Sequence, residues 1–391
     1  MFEPFPGNYV WNLSVNLALS MGAQIGEIDI ANDLVREAAR DGADAGTLEF
    51  LRAWGGLADR LVEQAREDVR LGRRFSASDK YKRACLYYMT AERMQRHGQE
   101  GREEAYAKML DAMEQSIRLG ERAVERVEIP FEGTSYPGLF VAAEKAAGPA
   151  PCMIHTNGLD SIKEMLYWTG IAQQFARRGI STLMIDHPGV GEALRLRGLA
   201  GMYDSERWAS AAVDYLETRA DVDADAIGII GWSLGGYYAP RAAAFEDRLK
   251  LCASWGANHY WGKLQEARLR NEGENPVPHY WGHVMWVFGQ PDMDSFMAFA
   301  PKMDLDGVVE KIRVPYLITH GENDRQIPID AAYRSYEQAT ASPKRELKIF
   351  TRETGGIEHV SADNQAPAQE FITDWVAETF AEMRQAGGRA G

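Results

Sequence analysis

The chain has 391 residues, more than one ordinary domain requires, with 45% hydrophobic and 26% charged residues. That balance describes a globular protein with a large domain and a smaller one. Its 57 acidic residues outweigh 43 basic ones, giving a net charge of −14 that argues against nucleic acid as a partner.

The N-terminus, MFEPFPGNYVWNLSVNLALSMG, carries no basic residue ahead of its mildly apolar stretch, which Asn12, Ser14 and Asn16 interrupt. A signal peptide is not expected there. No run reaches the roughly 18 apolar residues that a membrane helix needs, so no membrane association is expected. Cys85, Cys152 and Cys252 are widely spaced and odd in number. They fit reduced, packed thiols in a cytoplasmic protein and not a disulfide framework.

Residues 1–122 form one helical domain by pattern. Tyr81, Cys85, Tyr88 and Met89 share one helix face, with Ser78 as a candidate N-cap, and Tyr106, Met109, Met113 and Ile117 share another. Gly72, Gly98 and Gly120 mark helix ends. The simplest use of these stripes is helix–helix packing.

After Gly120 the period changes. VERVEIPF and YPGLFVAAE alternate like paired strands around EGTS. Strands and helices then alternate: PCMIH, a helix over 163–178, STLMID, a helix over 205–218, AIGIIG, a helix from Leu234, then KLCAS, PYLITH and ELKIF. PAQEFITDWVAETFAEM closes the chain as an amphipathic helix. Residues 123–391 therefore predict an α/β domain, a mostly parallel sheet with helices on both faces and chemistry at the carboxyl ends of the strands. Residues 258–300 interrupt the alternation with aromatics, including HYWG at 259–262 and again at 279–282. They are expected to form a cap insertion that contributes apolar pocket wall.

The motif with chemical content is GWSLGG, Gly231–Gly236. G-x-S-x-G between a strand and a helix is a nucleophile elbow. The turn is tight enough to demand glycine on both sides of the serine, and it presents Ser233 above the sheet. A serine hydroxyl needs a base, and this fold orders the partners Ser, Asp or Glu, then His. Asp324 follows the PYLITH strand and His359 follows ELKIF, so Ser233, Asp324 and His359 are the predicted triad. Asp330 reads instead as a helix cap. His320 reads as a packed histidine, and His155 as a residue shaping the loop after its strand. His279 and His283 have helical spacing for a metal but lack H-E-x-x-H and a third ligand, so no metal is expected. Acyl chemistry also needs oxyanion donors. The Leu234 N–H is one, and the loop TNGLDSIKE supplies the other from Leu159 or, alternatively, Gly158. No P-loop or dinucleotide fingerprint is present, so no cofactor is expected.

NGLDSIKE (157–164), DHPGVGEA (186–193), LAGMYDSERWASAAVDYL (199–216), GWSLGGYYAPRAA (231–243) and CASWGANHYW (252–261) together resemble the 2,6-dihydroxypseudooxynicotine hydrolase family and related fungal polyketide-shortening hydrolases. The resemblance implies an α/β-hydrolase core, an N-terminal helical domain closing over the site, and often a dimer. It places the triad on Ser233, Asp324 and His359. It also implies hydrolysis of a carbon–carbon bond beside a ketone in a small molecule. Trp232, Tyr260, Trp261, Tyr280, Trp281 and Trp286 are aromatics that could stack on a flat substrate ring or form cap core. An ester, lactone or amide substrate, or a binding module without catalysis, are the competing functional classes.

Overall fold

A computed structural model describes residues 1–390, with side chains through 386. The chain folds as two compact units, Met1–Val124 with Glu274–Trp286, and Glu125–Gly273 with the chain from Val287.

In the first unit, α1 (Tyr9–Ser20), α2 (Ile25–Asp33), α3 (Thr47–Arg70), α4 (Arg74–Arg93) and α5 (Arg102–Gly120) bury apolar stripes against one another. Phe50, Trp54, Leu57 and Leu61 recur at helical spacing on α3 and are buried. Phe50 stacks on Trp54 at 4.8 Å, and Trp11 meets Phe50 edge-on at 5.1 Å. The expected stripe on α4 is buried at Tyr81, Cys85, Tyr88 and Met89. Ser78 is not an N-cap. The helix starts a turn earlier, and the Ser78 hydroxyl donates to the Ser116 carbonyl at 2.8 Å, joining α4 to α5.

The second unit is built on an eight-stranded sheet. Its strands are β1 (Glu125–Phe131), β2 (Thr134–Val141), β3 (Ala150–Thr156), β4 (Ser181–Ile185), β5 (Val222–Trp232), β6 (Leu251–Trp255), β7 (Tyr316–Gly321) and β8 (Arg345–Phe350). The order is β1-β2-β4-β3-β5-β6-β7-β8, with β2 antiparallel to both neighbours and every pairing from β4 to β8 parallel. β3, β4, β6 and β7 are buried along their whole length, as strands covered on both faces must be. Edge strand β1 alternates, with Val127, Ile129 and Phe131 inward. All three cysteines are buried and unbridged.

The helices of this unit are α6 (Lys163–Trp168), α7 (Ile171–Arg177), α8 (Gly191–Arg195), α9 (Glu206–Glu217), α10 (Gly235–Phe245) and α11 (Trp261–Leu269). After α12 (Tyr280–Val287), which spans the boundary between units, come α13 (Met293–Phe299), α14 (Asp330–Gln338) and α15 (Ala366–Ala390). The single helix expected over 163–178 is broken at Gly170, whose φ of +87° favours glycine and separates α6 from α7. Among the described residues no helix is long and apolar enough to cross a membrane.

The 258–300 insertion does not stay together as the sequence suggests. Residues 274–286 join the helical unit, because their side chains and backbone find partners there. Arg93 donates to the Pro276 carbonyl at 2.8 Å, and the His279 N–H donates to Asp44 at 2.7 Å.

Candidate active site

Four strand ends of the parallel sheet converge on one centre. β5 ends at Trp232 and α10 begins at Gly235, so the chain reverses in two residues. Ser233 takes a φ of +60°, a left-handed conformation that costs a side-chain-bearing residue about 1–3 kcal/mol and concentrates at functional turns. Its N–H donates to the Trp255 carbonyl at 2.9 Å, and its carbonyl accepts from Gly236 at 2.8 Å. A Cβ on Gly231 would lie 1.8 Å from the Gly235 carbonyl oxygen, so no other residue fits.

The loop after β7 places Asp324, and the loop after β8 places His359. His359 Nε2 lies 2.8 Å from Ser233 Oγ, and His359 Nδ1 lies 2.7 Å from Asp324 Oδ2. These two bonds assign the tautomer: Nδ1–H donates to the carboxylate, leaving Nε2 as acceptor for the serine O–H. The Asp324 side chain is fully buried, and its Oδ1 accepts the N–H groups of Gln326 (2.8 Å) and Ile327 (3.0 Å). Burial alone would push the Asp324 carboxyl up. The charge and hydrogen bond of His359, with His320 nearby, instead hold it below the usual carboxylate range.

Backbone geometry fixes the histidine. Val360 and Ser361 both adopt positive φ, +46° and +57°, directly after His359. The Asp363 carboxylate collects the N–H groups of Gly356, Ile357 and Glu358 just before it. Asn323 ties the two loops together, donating its N–H to the Ile357 carbonyl and its side-chain amide to Glu358, each at 2.9 Å. Chain order identifies Asp324 and His359, but only the fold reveals these supports.

The loop after β3 runs close over the serine. A Cβ on Gly158 would lie 2.8 Å from Ser233 Cβ and 3.2 Å from its Oγ. Of the two alternatives on this loop, the Gly158 N–H is already engaged, donating to Ser161 Oγ at 2.8 Å. The N–H groups of Leu159 and Leu234 have no protein acceptor among the described residues. Gly158→Ala is expected to lower kcat at least about tenfold while costing about 1–3 kcal/mol of stability, the range for an overpacked contact. Steady-state rates beside a thermal melt check this.

The remaining candidates fall in several places. Trp232 is buried and tilted against Trp255 at 6.1 Å, with its indole N–H unpartnered. Trp261 is a packing residue, buried against Phe288 and Phe296 at 5.3 and 6.0 Å. Tyr260 is half-buried, with Lys263 over its ring. Tyr280, Trp281 and Trp286 belong to the helical unit, where Trp286 stacks on His97 at 4.5 Å under the Arg102 guanidinium. His320 is buried, 2.9 Å from the Ile327 carbonyl and 3.7 Å from Asp324, and burial lowers its pKa. Burial also takes His155 down to about 3, so it stays neutral. His279 Nε2 is bonded to Thr47, inside the helical unit. His259, Asp304 and Asp306 bring ligand atoms within 4.8 Å of one another. Arg334 grips Asp306 at 2.6 and 2.7 Å and Lys263 bridges both carboxylates, so protein cations already balance that group.

A sheet of this order with a serine elbow after β5 defines the α/β-hydrolase class. The family model described as esterase FrsA-like matches residues 54–265, and that of the prolyl oligopeptidase family matches residues 171–383. The chain belongs to the α/β-hydrolase family that includes the 2,6-dihydropseudooxynicotine hydrolase of Paenarthrobacter nicotinovorans, with 30% identity over 279 residues and 71% of each chain covered. The 20-hydroxy-prefusarin hydrolase of Gibberella moniliformis is 26% identical over 401 residues, covering 93% of this chain and 94% of that one. The crystal structure of the 2,6-dihydroxy-pseudo-oxynicotine hydrolase has the same fold, with a TM-score of 0.73 at 24% identity over 93% of this chain and 95% of that one. The protein is an enzyme of hydrolase type.

Proposed function

We propose that the protein is a serine hydrolase that cleaves a carbon–carbon bond beside a ketone in a small aromatic or β-diketone-like molecule through an acyl-enzyme. The observation that carries the serine chemistry is the continuous line from Ser233 Oγ through His359 to Asp324, at 2.8 and 2.7 Å. His359 Nε2 takes the serine proton as Oγ attacks the carbonyl carbon. The carbonyl oxygen becomes an oxyanion, received by the N–H groups of Leu159 and Leu234. Collapse restores the carbonyl and breaks the carbon–carbon bond. The departing carbon, its charge spread into an electron-rich ring as the bond breaks, takes the proton from His359, which leaves the imidazole neutral again. Water, deprotonated by the same imidazole, then attacks the acyl-enzyme, and the proton returns to Ser233.

The choice of a carbon leaving group is supported by the family resemblance, since a triad does not by itself select the leaving group. The match to an esterase-described family model favours a second reading, an ester substrate. Paired aryl ketones and aryl esters, with products identified by mass spectrometry, separate the two. The expected result is a carboxylic acid and a shortened carbon fragment from the ketone. Turnover of esters alone would remove the carbon–carbon reading and leave the triad standing.

A further inference from the structure

Of the stretches that carry the family resemblance, 157–164 enters the steps above only through the Leu159 N–H, and 186–193 does not enter them. They meet in one buried ionic cluster. The loop 157–162 joins β3 to α6 and carries the Leu159 N–H. Its ends are tied to the end of β4. Asn157 donates its side-chain amide to the Ile185 carbonyl at 2.7 Å, and the Lys163 N–H donates to Asp186 Oδ1 at 2.8 Å. The Lys163 side chain is wholly buried. Its ammonium donates to Asp186 Oδ2 at 3.0 Å and Glu192 Oε1 at 2.5 Å and pairs with Glu164 Oε1 at 2.6 Å. Arg126 grips Glu192 with two bonds, 2.6 and 2.8 Å, and the Glu192 N–H donates to Asp186 at 3.0 Å. The Asp186 carboxylate sits so close to Gly191 that a Cβ there would be 2.0 Å from it.

A buried lysine facing three carboxylates is a poor stability device, because desolvating the charges offsets much of their attraction. Apolar residues of the same size would hold a fold as well. What the cluster supplies is directional bonds at both ends of a short loop, inside which the Gly158 N–H is held by Ser161. The same loop lies within contact of Ser233.

We propose that Lys163 is a positioning residue for the oxyanion site: through Asp186 and Glu192 it locks loop 157–162 so that the Leu159 N–H faces the oxygen of a substrate bound to Ser233. This rests on the reading of Leu159 as an oxyanion donor. Three quantities test it in Lys163→Met: kcat per folded molecule, KM, and the affinity of an aryl trifluoromethyl ketone, which forms a hemiketal oxyanion on serine. The expected result is a loss of about 10²-fold in kcat, as for a lost oxyanion donor, a parallel loss of ketone affinity, and KM within about threefold. Should Lys163→Met fail to fold, Lys163→Met/Glu192→Gln carries the same test with less stranded negative charge.

Unchanged kcat and ketone affinity in a folded variant overturn the proposal, as does failure of both variants to fold, which would assign Lys163 to stability alone. Wild-type protein that forms no hemiketal at Ser233 overturns the nucleophile reading instead, so the two failures are distinguishable.

Discussion

Ser233→Ala is expected to lower kcat by about 10⁵-fold or more and to leave the fold intact. The substitution keeps Cβ, so the left-handed backbone of the elbow, at φ +60°, meets no new strain. What disappears is one hydroxyl and its bond to His359 Nε2. Ser233 is half-buried, and the stability change should stay within about 1 kcal/mol, the scale of one lost hydrogen bond. A rate within tenfold of wild type would place the nucleophile elsewhere. Near-UV circular dichroism of the variant separates loss of chemistry from loss of structure.

Asp324→Asn is expected to lower kcat by about 10⁴-fold, the scale found when a serine triad loses its carboxylate without losing its shape. The reason lies in the proton inventory. Oδ1 would stay with the N–H groups of Gln326 and Ile327, which need an acceptor in a buried place. The new amide would then turn its N–H toward His359 Nδ1, where Asp324 now accepts at 2.7 Å. Nδ1 must become the acceptor, the proton moves to Nε2, and Nε2 can no longer take the serine proton. The substitution also has a pH signature. The folded-state pKa of Asp324 lies below its unfolded value of about 3.9. The carboxylate therefore contributes stability above that pH, and the contribution is lost as pH falls through the lowered folded value. The gap in melting temperature between wild type and Asp324→Asn should be widest near neutrality and narrow in acid. A constant gap across that range would remove the charge from the explanation.

The parts of this site that were legible in the sequence are those governed by short-range sterics or chain order. Gly231 and Ser233 announce the elbow because no side chain fits beside the Gly235 carbonyl. Asp324 and His359 are legible as candidates because they lie just past strand ends in the order the fold requires, and the structure brings both into line with Ser233. The supports were not legible, because each joins residues from separate segments: Asp363 under the histidine loop, Asn323 between the two loops, Ser161 on the Gly158 N–H. Lys163 and Asp186 lie in the stretches 157–164 and 186–193, but nothing local says that a lysine will be buried against a strand end 23 residues away. Ser78 looked like a cap because its chemistry suits one, yet a tertiary bond to Ser116 claimed it. The aromatic insertion is uniform in sequence, since composition cannot tell Trp261, packed on Phe288, from Trp286, stacked on His97 in the helical unit.

The most direct test is to quench the protein in acid during turnover of an aryl ester and map the modified peptide by mass spectrometry. A covalent serine mechanism predicts one acyl group, on Ser233, absent from Ser233→Ala. Turnover with no adduct in rapidly quenched samples, or an acyl group on another residue that persists in Ser233→Ala, would contradict it.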